Sequence, residues 1–106
     1  MANAVMAIQV LPEADSTEEL VRLVDVAIAE IDASNLSYEV GAFETTVEGD
    51  LDDLIKLLHQ IQISVTEGGT ARISNYIKLS YAPEKHILTT NEKLAKYREH
   101  NQEHEG

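Results

Sequence analysis

Residues Val5 to Leu11 (VMAIQVL) form a run that is apolar on both strand parities and is closed by Pro12. Consecutive side chains of a strand point to opposite faces, so Met6, Ile8 and Val10 share one side while Val5, Ala7, Gln9 and Leu11 share the other. A strand covered on one face only would show a polar alternate set. Only Gln9 breaks the pattern, so both faces of this strand call for cover. The chain has 106 residues, which fits a single domain over 1–106. Hydrophobic residues make up 43% and aromatics only 5%, with no Trp, so the core must be built from Val, Ile, Leu and Ala.

The following segments switch between helical and strand periods. Ser16-Thr17-Glu18-Glu19 reads as a capping box, with Ser16 as N-cap and Glu19 at N3. Leu20, Leu23, Val24, Ala27, Ile28 and Ile31 follow at helical spacing, and Ser34-Asn35 ends the helix. Leu36 to Phe43 reads as a second strand and Glu44 to Gly49 as a third, with Gly41 a candidate bulge. Asp50 starts a second helix, with Asp52 and Asp53 in the first turn where the helix dipole favours acids. Its expected apolar stripe is Leu51, Leu54, Ile55, Leu58, Ile61 and Val65; Leu57 and Ile63 fall off it and suggest a second contact. Gly68-Gly69 stops this helix. Ala71 to Tyr81 reads as the fourth strand, ended by Pro83. Thr90-Asn91-Glu92 opens a short polar helix over about 89–99, with Leu94 and Tyr97 as its sizeable apolar groups, before a frayed tail at 100–106.

The order is β-α-β-β-α-β plus a C-terminal helix, the ferredoxin-like pattern of an α+β domain. Both long helices should lie on one face of an antiparallel sheet and leave the other open. Strand parity puts Met6, Ile8, Val10, Thr45, Val47, Ile73 and Ile77 toward the helices. Val5, Ala7, Gln9, Glu44, Thr46, Glu48, Arg72, Ser74 and Tyr76 then fall on the open face. A mixed apolar and polar surface of this kind is expected to pack on a second copy of the chain.

Nineteen acidic residues against eight basic ones give a formal charge of −11. That excess argues against nucleic acid and anionic membrane surfaces as partners and suits a neutral or cationic small ligand. The absence of Cys excludes disulfides, thiolate metal sites and Cys nucleophiles. The N-terminal run is short and lacks a basic flank, so a cytoplasmic location is expected. His100 and His104 have a metal-compatible spacing but sit in the polar tail without a third ligand, and His59 reads as a helix surface residue. No nucleophile–base pair is apparent, so no catalytic residue, metal or cofactor is expected. Glu48 beside Thr46 is the feature suited to chemistry: a carboxylate accepts hydrogen bonds from an amine or ring N–H, and a hydroxyl both donates and accepts. The alternative is that Glu48 pairs with Arg72 or Lys78 across the sheet.

The block Tyr38-Glu39-Val40-Gly41 followed by Thr45-Thr46-Val47-Glu48-Gly49-Asp50 resembles the thiamine-binding YkoF-like family. Lys96-Tyr97-Arg98 and the N-terminal strand match as well, and the resemblance covers about residues 4 to 98. It implies a ferredoxin-like fold, sheet-to-sheet dimers that commonly pair into tetramers, and non-catalytic binding of thiamine or its hydroxymethylpyrimidine moiety by a carrier or sensor. Thr45, Thr46 and Glu48 carry over as ligand-binding positions; Gln9, Tyr38, Ser74 and Tyr76 join them from strand parity. A purely structural or regulatory oligomeric module is the competing expectation.

Overall fold

A computed structural model describes residues 2–84 of the protein. The elements run β1 (Ala4–Pro12), α1 (Thr17–Ala33), β2 (Ser37–Val40), β3 (Thr45–Gly49), α2 (Leu51–Glu67) and β4 (Ile73–Tyr81). They form one four-stranded sheet in the order β2-β3-β1-β4, with every neighbouring pair antiparallel. This is the expected ferredoxin-like α+β fold. The expected C-terminal helix at 89–99 lies outside the described residues.

The two helices bury one face of the sheet. Ala4, Met6 and Ile8 of β1 and Val47 of β3 are buried against Leu23, Ala27 and Ile31 of α1 and Leu54, Leu57, Ile61 and Val65 of α2. Register places Met6 opposite Val47 and Ile8 opposite Thr45, so one parity of each strand supplies the core. Small residues let the chain approach closely at one end of this layer. Gly49 faces Ala4, and a Cβ on Gly49 would come within 3.0 Å of the Leu36 side chain.

The helix ends differ from the sequence expectation in instructive ways. Ser16 caps α1, its Oγ accepting from the Glu19 backbone N–H at 3.1 Å. Glu19 does not complete the box. Its carboxylate takes a two-point contact from the Arg22 guanidinium, whose Nη2 also donates to the Gly68 carbonyl at the end of α2. The pairing holds the Glu19 carboxyl below its usual range. At α2, Asp50 stands at the N-cap but its side chain makes no capping bond. Asn3, just before β1, supplies it instead: its Oδ1 accepts from the Leu51 N–H at 3.0 Å. A cap can come from any chain segment brought near the free N–H groups, and only the fold brings Asn3 there.

The hydrophobic stripe of α2 is rotated from its expected position. Leu57 is buried in the core, whereas Ile55 is 47% exposed. The second strand is also shorter than the expected Leu36–Phe43. It ends at Val40, and a four-residue connection, Gly41 to Glu44, closes with the Gly41 N–H donating to the Glu44 carbonyl at 2.9 Å. Gly41 therefore marks the turn rather than a bulge. A Cβ there would approach the Glu44 carbonyl oxygen to 2.8 Å. Phe43 sits in this connection and is 82% exposed.

Candidate functional site

The seven expected ligand-binding residues fall on two faces of the sheet. Thr45 pairs with Ile8 in the helix-covered layer and is buried. Its neighbour Thr46 pairs with Ala7 on the open face, and Glu48 pairs there with Val5. Gln9 and Tyr76 are directly opposite one another on that open face, and Ser74 pairs with Leu11 beside them. Tyr38 lies opposite Val47 on the helix side, and its hydroxyl donates to Asp32 Oδ1 at 2.9 Å. That bond to the neutral phenol, aided by the nearby carboxylate charge, raises the Tyr38 pKa. Strand parity separates Tyr38 from Thr46 and Glu48 by the thickness of the sheet.

The open face is less apolar than β1 alone suggests. Val5, Ala7 and Leu11 form a narrow apolar line, flanked by Thr46 and Glu48 on β3 and by Ser74, Lys78 and Ser80 on β4. Tyr76 adds a large ring that is 68% exposed. Lys78 Nζ pairs with Glu44 at 3.2 Å rather than with Glu48. Among the described residues Glu48 makes no ion pair.

The concave feature is on the other side. A cavity of about 310 Å³ lies between α1, the end of β1 and the β2–β3 connection. Ile8, Val10, Val24, Ile28, Ile31 and Val40 supply apolar walls, with Phe43 at the turn. Thr45 and Asp25 bring polar groups to the same space. Small-ligand sites are concave, mostly apolar and carry a few convergent polar groups, and their volumes start at roughly 300 Å³. A depression of about 370 Å³ between the two helices is different in kind. Glu30, Asp53, Lys56 and Gln60 line it, giving a solvated charged groove.

Residue-type reasoning pointed to Thr45 only through the family resemblance. Asp25 escaped it because on α1 the residue reads as an ordinary polar-face position. The only available signal was its place one residue after Val24 and three before Ile28, at the edge of the apolar stripe. Among the described residues no group of three or more His, Cys, Asp or Glu side chains could hold a metal ion. No helix among them is long and apolar enough to cross a membrane.

Comparison with known proteins agrees with this fold and adds a function class. The sequence is 34% identical over 93 residues to a UPF0045 protein of Clostridium perfringens, covering 88% of this chain and 95% of that protein. The structure superposes on that of a DUF77 domain of unknown function from Bacillus cereus with a TM-score of 0.77 and 36% identity, covering 92% of this chain and 91% of the other. A Thermotoga maritima protein, described as a candidate thiamine biosynthesis/salvage protein, gives a TM-score of 0.74 at 26% identity, over 91% of this chain and 99% of that one. The profile of the family described as "Thiamine-binding protein" matches residues 6–98. By that match across most of its length, the chain belongs to the thiamine-binding protein family.

Proposed function

We propose that the protein binds thiamine or its hydroxymethylpyrimidine moiety without chemical change, as a cytoplasmic carrier or sensor, and that the cavity beside Thr45 receives the ring. The observation that carries this reading is the convergence of Thr45 and Asp25 on one apolar-walled space. An aminopyrimidine presents ring nitrogens that accept and an exocyclic amine that donates. The Thr45 hydroxyl can serve either, and the carboxylate of Asp25 can accept from the amine. The branched aliphatic walls suit a flat ring, and the acidic Asp25 at the cavity suits a cationic thiazolium. Titration calorimetry with thiamine and with hydroxymethylpyrimidine tests the reading. Absence of heat at high micromolar ligand, with a folded protein, would reject it.

A second reading places the ligand on the open face, where Glu48 would take the aminopyrimidine edge with Thr46, Gln9, Ser74 and Tyr76 around it. The absence of an ion pair at Glu48 among the described residues favours it. This site would be completed by a second copy of the chain packing on the line of Val5, Ala7 and Leu11, in a homodimer or a homotetramer. In either reading self-association covers the open face, since an apolar line beside an exposed Tyr ring gains from burial. A module that only oligomerises, with no ligand, is the outcome if both titrations are silent.

A further inference from the structure

Phe43 lines the cavity beside Thr45 yet leaves most of its ring in water. At 82% it is the most exposed large apolar side chain among the described residues. It is the only Phe of a chain without Trp, and among the described residues no other aromatic side chain lines that cavity. Single exposed apolar groups are common, and what sets Phe43 apart is its surroundings. Val24 and Ile28, one turn apart on α1, are half-buried walls of the same space. Val40, just before the connection, is another wall and is 56% exposed. Apolar surface from α1 and from the connection thus borders one open volume. The backbone that carries Phe43 is held at both ends. The Gly41 N–H donates to the Glu44 carbonyl at 2.9 Å, and Glu44 Oε1 accepts from Lys78 Nζ at 3.2 Å. The ring can turn about its own side-chain torsions without breaking either bond.

We propose that Phe43 is the stacking residue of this cavity: its ring closes over a flat heteroaromatic ring seated against Val24 and Ile28, and so favours aromatic ligands over aliphatic ones of equal size. The inference rests on the cavity reading under Proposed function and adds the residue that covers the ring. Phe43 belongs to the connection, and Val24 and Ile28 belong to α1, so together they can meet the faces of a bound ring. Thr45 and Asp25 are left to meet its polar edge. Offset stacking adds to what the buried area alone contributes. A cationic ring gains further, because the face of a Phe ring is negative. The ordering cost is small, since an aromatic side chain has few torsions to fix and the backbone beneath it is already held.

Calorimetric titration of the full-length protein with thiamine and with hydroxymethylpyrimidine tests it. Phe43→Ala should weaken binding about tenfold. Phe43→Tyr should stay within about twofold of wild type, because it keeps the π face. Phe43→Leu keeps an apolar cover without that face and should bind several-fold more weakly than wild type. Urea midpoints should be unchanged in all of these, since a ring so exposed holds little of the fold together. A silent wild-type titration would overturn the cavity reading and this inference together. Wild-type binding that Phe43→Ala leaves unchanged, or that Leu restores as well as Tyr, would overturn the stacking role alone. Unchanged affinity with loss of self-association in sedimentation would give the ring to a second copy instead. Fluorescence supplies a further readout, because Phe43→Trp places a single indole in the chain. Its emission should change along the same isotherm as the heat, and constant emission through saturation would also overturn the proposal.

Discussion

Thr45 and Thr46 are consecutive in β3 and face opposite sides of the sheet, Thr45 across from Ile8 beneath the helices and Thr46 across from Ala7 on the open surface. A single small ligand cannot touch both side chains, because the sheet lies between them. The pair therefore discriminates between the two candidate binding surfaces.

Removing the Thr45 hydroxyl with Thr45→Val should weaken thiamine or hydroxymethylpyrimidine binding by about 1 kcal/mol, the scale of one neutral hydrogen bond. Thr46→Val should leave the affinity within about twofold, well below that scale. Calorimetry on both variants decides. If Glu48→Gln instead costs about 1.5–3 kcal/mol, the scale of a hydrogen bond to a charged group, and Thr45→Val costs nothing, the site is on the open face.

The α2 cap is a test of the fold rather than of the ligand. Asn3 accepts from the Leu51 N–H, while the Asp50 side chain makes no capping bond. Asn3→Ala should lower stability by about 1 kcal/mol, as loss of a capping bond does. Asp50→Asn should cost less, since it removes only a charge near the positive end of the helix dipole. Urea unfolding midpoints give the order, and a larger loss at Asp50 would contradict the assignment.

Gln62 and Asn75 clamp α2 to β4 with two reciprocal bonds, Gln62 Nε2 donating at 3.1 Å and Asn75 Nδ2 at 2.6 Å. Asn75→Ala should cost about 1–3 kcal/mol, because Gln62 is left half-buried without its partner. Replacing both by Leu should recover much of the loss. A double-mutant cycle showing no coupling between the two positions would reject the clamp.

The Tyr38–Asp32 bond predicts an alkaline effect. The Tyr38 pKa is raised in the folded state, so its contribution to stability is complete below the unfolded Tyr pKa of about 10 and is lost as pH rises through the folded value. Asp32→Ala should shift the phenolate absorbance titration of Tyr38 downward, isolated by subtraction of a Tyr38→Phe titration. An unchanged curve would mean that the bond is absent in solution.

The two-faced β1 predicts self-association. Sedimentation at micromolar concentration should show a dimer or larger species, and Val5→Lys or Ala7→Lys should dissociate it. A wild-type monomer under those conditions would remove the open face from the argument for a partner.

The local pattern determined the element order, because each segment carries its own period and its own stops. The short apolar Val5–Leu11 run closed by Pro12, the helical spacing from Leu20 to Ile31, and Gly68-Gly69 are readable one at a time. The left-handed Gly69, at φ 121°, is such a stop: it suits a residue without Cβ. Strand parity likewise placed Thr46 and Glu48 away from Val47. What local pattern could not supply were relations between distant segments. Asn3 reaching Leu51, Glu19 turning to Arg22 and the C-terminal end of α2, and the rotation that buries Leu57 and exposes Ile55 all depend on how the helices cross the sheet. The cavity belongs to the same class: Asp25 and Thr45 come from a helix and a strand twenty residues apart, and no periodicity relates them. Periodicity records which side of an element is apolar, whereas a site depends on which elements meet, and that is settled only when the whole chain packs.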